Sequence, residues 1–264
     1  GHAIQQLIPL LHNFEGDLLI LNGDVPLINS STVNELVAKH RSFQSEVTLL
    51  SAKVSNPKGY GRVFADKEGK VTSIIEEKDC SNEQRKNKLT NAGVYCFNWR
   101  SLKQILLSLS NNNSQKEIYL TDAVTVLKNT RHLEVNDSRE VSGINNKLQM
   151  AESESFLQES LRNYWMEEGV TFIDPTSCTI SENCIFGEDV VIEPQTHLRE
   201  HCKIGNNCHI GPSTFIQNST LGNNVKVIHS VLNNAEIEND VHIGPYAHLR
   251  PETKISSKTK IGNF

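Results

Sequence analysis

No apolar run in this chain approaches the roughly 18 residues needed to cross a bilayer. The best, around Asp17–Leu21, is the size of a strand. The basic, apolar and small-residue succession of a signal peptide is missing from the start, where Gly1 stands in place of Met. Positive charge is short too: 26 Lys and Arg against 31 Asp and Glu leave a formal charge of −5. That balance argues against a whole-chain nucleic-acid or acidic-membrane binder. Six cysteines, at 80, 96, 178, 184, 202 and 208, form no C-x-x-C pair, so zinc-ribbon and thioredoxin readings have no support. A chain of this size needs no disulfide staples, and a reducing cytoplasm is expected. No G-x-G-x-x-G or Walker segment occurs anywhere.

What is there suffices for two domains. The 264 residues are 22% charged and 37% hydrophobic, enough for a sizeable core. Residues 1–146 alternate short apolar runs with helical patterns. Asp17–Leu21, Val47–Val54, Val71–Ile75 and Val94–Phe97 read as strands, the first of them buried. Helical patterns lie over Ser101–Leu109 and Thr121–Lys128, and Thr32-x-x-Glu35 has the form of a capping box opening a helix to about His40. The alternation predicts an α/β domain, Rossmann-like, with a sheet at least partly parallel. Residues 147–169 predict an amphipathic linker helix with Leu157, Leu161 and Tyr164 or Trp165 on one face, stopped by Gly169.

From about Phe172 the period changes to six. Ile180, Phe186, Ile192, Leu198, Ile204, Ile210 and Ile216 recur, each with a compact residue two places earlier: Cys178, Cys184, Val190, Thr196, Cys202, Cys208 and Thr214. After an offset the rule resumes at Val231, Ile237, Ile243, Leu249, Ile255 and Ile261, where only His229 breaks the small-residue pattern. Six is neither helix nor alternating strand. It is the hexapeptide signature of a β-helix over 170–264, in which each short face sends side chains into a stacked core. Four cysteines are thereby core fillers, and the histidines fall mostly off the core positions. Glycines after several apolar positions (187, 205, 211, 244, 262) suit tight corners. The array stops in mid-pattern at Phe264, so either the chain continues or a partner covers that end.

Chemistry is expected where Asn22-Gly23-Asp24-Val25-Pro26 leaves the first strand, since ligands of open α/β sheets bind beyond strand carboxyl ends. Gly23 permits close backbone approach, and Asp24 offers a hard oxygen suited to Mg²⁺. Position alone favours an ordinary strand-to-turn Gly-Asp. The segments GHAIQQ (1–6), LNGDVPL (21–27), NPKGYGRV (56–63), IIEEKD (74–79), TNAGVYCF (90–97), NNNSQKEIYLTD (111–122) and GINNKLQM (143–150) then settle into one order, followed by the repeat array. Together they resemble the bacterial bifunctional N-acetylglucosamine-1-phosphate uridylyltransferase/glucosamine-1-phosphate N-acetyltransferases, essentially from end to end.

The resemblance implies uridylyl transfer from UTP to N-acetylglucosamine 1-phosphate in the first domain. In the second, a left-handed parallel β-helix, it implies acetyl transfer from acetyl-CoA to glucosamine 1-phosphate. It makes Asp24 and Asn145 the Mg²⁺ ligands, puts Asn22 and Gly23 on the nucleotide side, and gives the sugar to Gly61, Glu76 and Asn91. Arg250 would contact the sugar phosphate of the second reaction, its guanidinium fork suiting a phosphate. Taken singly, Gly61 reads as a turn, Glu76 as a solvated charge, Asn145 as a helix cap and Arg250 as a corner residue. A homotrimer of the full-length protein is also implied, with no nucleic acid and no membrane insertion. The family's glycine-rich triphosphate loop and acetyltransferase histidine have no counterpart between Gly1 and Phe264. The segment alone is therefore expected to be inactive in both reactions. A single-function sugar-phosphate nucleotidyltransferase with an appended β-helix, or a non-catalytic solenoid scaffold, remain the alternatives.

Overall fold

The computed structural model describes residues 1–263, which form two compact units, the second beginning at Glu154. In the first, α1 (His2–Gln5), β1 (Asp17–Ile20), α2 (Ser30–Ser42), β2 (Val47–Lys53), β3 (Arg62–Ala65), β4 (Val71–Ile75), β5 (Leu89–Asn98), α3 (Trp99–Leu106), α4 (Thr121–Val126) and β6 (Thr130–Glu134) follow in order. The sheet runs β4-β3-β5-β2-β6, with β1 also paired to β5. Only β2 and β6 pair in parallel; the other pairings are antiparallel.

Alternation builds two cores from one sheet. Val47, Leu49, Tyr95 and Phe97 pack with Trp99, Leu102 and Leu106 of α3 and with Ala123 and Val124 of α4. Leu50, Ala52, Val94 and Cys96 pack instead with Leu36 of α2. Burial on both faces is why β2 does not alternate apolar with charged residues: all but Lys53 are buried, Thr48 and Ser51 included. β1 differs from its expectation of burial: it pairs with β5 alone, and Leu19 is 37% exposed. The capping box does not form either. The α2 helix starts two residues earlier, at Ser30, and the Thr32 hydroxyl donates to the Glu140 carboxylate at 2.7 Å.

Helix α5 (Lys147–Glu167) ends as its sequence predicts. Gly169 adopts φ +97°, its N–H reaching Met166 O while Val170 N–H reaches Trp165 O, the paired bonds of a Schellman stop. Within the second unit, Leu161 and Trp165 pack on the solenoid core, and Trp165 meets Phe186 edge-on at 4.8 Å. Tyr164 points to solvent. Gln158 both donates to Ile180 O and accepts from Ile180 N–H, closing the first coil's open backbone.

Sixteen two- or three-residue strands, from β7 (Thr171–Phe172) to β22 (Lys260–Ile261), stack into three parallel sheets. This is the parallel β-helix expected from the six-residue period. Cys178, Cys184, Cys202 and Cys208 are buried as free thiols. The pattern does not pause after Ile216, however. Leu221 with Ser219, Val227 with Val225, and Leu232 with Ser230 continue it, all buried. The step is five residues rather than six at Ile216–Leu221, Val227–Leu232 and Leu232–Ile237. Val231 therefore points outward, 40% exposed, and His229 occupies the corner with φ +45°. The short corners lack one residue; inward Ser219 and Ser230 pass unnoticed as core because their hydroxyls bond Gln217 O and Ile228 O. Stacking register shows the outcome: Val191 pairs with His209, then Lys226, His242 and Lys260, giving coils of 18, 17, 16 and 18 residues.

Gly244 turns its corner in the left-handed region, at φ +100°, but other corner glycines serve a different purpose. Gly187, Gly205 and Gly222 have no left-handed φ, but a β-carbon there would strike the next coil. The left-handed residues are mostly those just before each inward pair, among them Asp189, Asn207, Asn224 and Asp240. An asparagine ladder seals one edge: Asn206, Asn223 and Asn239 side chains accept from Glu188, Asn206 and Asn223 backbone N–H at 2.8–3.0 Å.

Candidate functional site

A cleft of about 840 Å³ opens in the first unit, and it is lined by Asn22, Gly23, Asp24, Gly61, Glu76, Asn91 and Asn145. Seven of the eight expected site residues thus share one hollow. The eighth, Arg250, belongs to the second unit, exposed beside strand His248–Leu249.

At one end, the chain leaving β1 turns sharply, Val25 N–H bonding Asn22 O, and buries Val25 so that Asp24 faces outward. The segment before α5 is laced to this turn by Ile144 N–H, which donates to Asp24 O at 2.9 Å. The lacing brings side chains 121 positions apart together. A β-carbon on Gly143 would stand 3.4 Å from Asp24 Oδ2 and 3.7 Å from Asn145 Nδ2, so both occupy one small volume. Asn145 N–H is satisfied by Gln149 Oε1 at 2.8 Å, fixing its backbone at the mouth of the helix.

At the other end, Gly61 O accepts from Asn91 N–H at 2.9 Å, joining the loop before β3 to β5. Gly61 lets Glu76 come close: a β-carbon there would sit 3.3 Å from Glu76 Oε2. Thr121, at the start of α4, donates its hydroxyl to Glu76 Oε1 at 3.0 Å. Burial pushes the Glu76 carboxyl above the usual range, the Thr121 bond opposes it, and Asp122 and Asp79 add to it. Arg62, almost wholly buried, clamps this corner by bonding Tyr60 O and pairing with Glu77 at 2.6 Å.

The Glu76 environment gives a pH signature. A carboxyl whose folded-state value is raised contributes stability below the ordinary glutamate value of about 4.3, and that contribution is lost as pH rises through the folded value. Glu76→Gln removes the loss. The variant is expected to match the parent near pH 4 and to exceed it at pH 7 by about 1 kcal/mol. Urea unfolding at both pH values checks this; an equal difference at both would count against a titrating Glu76.

Gly93 and Tyr95 are among the lining residues that the sequence does not single out. Gly93 adopts φ +74°, and a β-carbon on it would collide with the Asn22 amide. Tyr95 reaches the cleft from the core. The signal for both is a register break: Leu49 and Ser51 of β2 face Tyr95 and Asn91 of β5, so β5 carries two extra residues there. Such bulges aim side chains beside binding sites.

Comparison with known proteins places the sequence in a family. The nucleotidyl transferase pattern matches residues 1–169, and the bacterial transferase hexapeptide pattern (six repeats) matches 183–218. Two proteins named bifunctional protein GlmU, from Synechococcus sp. strains CC9902 and RCC307, are 60% and 61% identical over 202 and 203 residues. The protein of that name from Prochlorococcus marinus strain MIT 9313 is 59% identical over 202 residues. These alignments take in 76–77% of this chain but only 45% of each relative. Since the matched pattern spans the whole cleft-bearing unit and well over half the sequence, the chain belongs to the nucleotidyl transferase family.

Proposed function

We propose that the first unit carries uridylyl transfer from UTP to N-acetylglucosamine 1-phosphate, releasing pyrophosphate and giving UDP-N-acetylglucosamine. The observation that carries this reading is the convergence of Asp24 and Asn145 at one end of a cleft whose other end holds Gly61, Glu76 and Asn91. A phosphate oxygen of the sugar attacks the α-phosphorus, and the bond to the pyrophosphate breaks. No protein nucleophile is needed, so positioning and charge neutralisation carry the rate.

Mg²⁺ fits the residues present. One carboxylate and one side-chain amide are hard donors, and this ion keeps water and substrate phosphates in its remaining positions. The described residues hold no group of three or more His, Cys, Asp or Glu that would cage a different metal. Asp24 and Asn145 would hold it; bound there, it would supply neutralisation of phosphate charge. Asn22 and Gly23 form the nucleotide side, and Gly61, Glu76 and Asn91 orient the sugar through backbone and side-chain hydrogen bonds.

For the second unit the proposal is acetyl transfer from acetyl-CoA to glucosamine 1-phosphate, with Arg250 gripping the phosphate, in a homotrimer of the full-length protein. The setting is the cytoplasm, in supply of peptidoglycan and lipopolysaccharide synthesis. Pyrophosphate release by the full-length gene product tests the first reaction. It should need UTP, N-acetylglucosamine 1-phosphate and Mg²⁺ together. Equal turnover with ATP or GTP, or preference for glucose 1-phosphate, would favour the single-function nucleotidyltransferase instead.

A further inference from the structure

The register break in β5 does more than shape a wall. Along a regular strand, residues four apart stand about 13 Å from each other. Here two residues of β2 span the same stretch as four of β5, with Gly93 in its left-handed conformation at the bend. Asn91 and Tyr95 are thereby drawn together, and Asn91 Nδ2 donates to Tyr95 Oη at 2.6 Å. The Asn91 carbonyl is held as well, accepting from Gly93 N–H at 3.1 Å.

Tyr95 is a fixed point for this bond. Its ring is 4% exposed, packed in the core shared with Leu49 and Phe97, and lies 5.5 Å from the Phe97 ring. Burial pushes its hydroxyl well above the usual range, so it stays a neutral O–H. A buried tyrosine ordinarily finds some partner for its oxygen. This one finds it in a residue that faces the cleft, at the end where the sugar is placed. With carbonyl and amino ends both anchored, the Asn91 amide cannot flip. One N–H and one carbonyl lone pair are left at defined positions.

We propose that Tyr95 is a positioning residue for the acceptor sugar: with the Gly93 N–H selecting the orientation of the Asn91 amide, the Tyr95 hydroxyl, brought up by the β5 bulge, holds its amino end in place and so sets affinity for the sugar phosphate. The inference rests on the sugar-binding reading of Asn91 and deepens it.

Kinetics of the full-length enzyme test it. Tyr95→Phe keeps the ring and removes the oxygen. The expected result is a KM for N-acetylglucosamine 1-phosphate raised about tenfold, the size of one lost hydrogen bond, with KM for UTP and kcat within about twofold. Asn91→Ala should raise the same KM, and the double variant should be no worse than Asn91→Ala alone. In the isotope-labelled protein, the Asn91 side-chain amide resonances should shift in Tyr95→Phe. An unchanged sugar KM in Tyr95→Phe with a raised one in Asn91→Ala would overturn the positioning role and leave the cleft reading intact. So would additive effects in the double variant, or equal changes in both KM values and kcat. A normal sugar KM in Asn91→Ala would overturn the assignment of Asn91, and this inference with it.

Discussion

Gly205→Ala is expected to destabilise the second unit by about 3 kcal/mol, the upper range for an overpacked methyl with no room to relax. A β-carbon there would lie 2.5 Å from Gly222 O and 2.6 Å from its carbonyl carbon, with Asn223 Oδ1 at 2.7 Å. These are backbone and ladder atoms of the next coil, not the tip of a flexible side chain. Gly205 N–H donates to Leu221 O at 2.9 Å, and Asn206 N–H to Asn223 Oδ1 at 2.9 Å, so the coil spacing is already set by hydrogen bonds. The methyl can enter only by prising the coils apart. Each coil is stabilised by its neighbours alone, so local separation weakens the stack on both sides. Lys203→Ala, at an exposed position of the same coil, is the control; it should cost under about 0.5 kcal/mol. Chemical denaturation of the two variants decides the matter, and equal losses would refute the packing argument.

Asp24→Ala is expected to lower uridylyl transfer by the full-length protein about a thousandfold, equivalent to roughly 4 kcal/mol of transition-state stabilisation. Stability should barely change. Asp24 is exposed, and the bond that ties its turn to residue 144 uses its backbone carbonyl, which alanine retains. The separation of effects is the point: rate collapses while the melting temperature holds. A variant with the parent rate would remove the basis for the Asp24–Asn145 pair, and the metal assignment would go with it.

Much of the solenoid could be read from residue order because its rule is local. An inward pair two residues apart repeats every six, and the hydrophobic and thiol side chains announce it. The rule loses its register between Ile216 and Ile237, where three steps are five residues long and outward Val231 takes the place of Leu232 in the pattern. Two of the next compact inward residues were serines, which look polar in sequence and are satisfied by a carbonyl two residues earlier. The first unit was harder. β3 and β6 went unrecognised, since four- and five-residue strands such as Thr130–Glu134 acquire their identity from pairing with β2, far away in sequence. Of the cleft residues, Asn22–Asp24 are legible from their place beyond the end of the first strand, and the others only from the family motifs. What motifs could not convey was the bulge: Gly93 and Tyr95 become site residues only once β5 is laid against β2 and found two residues too long.

The coils of 18, 17, 16 and 18 residues carry a corollary. Contractions fall at corners ending in Asn218, His229 and Asn234, whose φ values of 45–47° close the bend with one residue fewer. The inward pairs on either side keep their two-residue separation, so no side chain changes face. Removing one residue at such a bend is therefore expected to leave every neighbouring side chain on its own face. The same deletion inside a flat face would turn buried side chains outward.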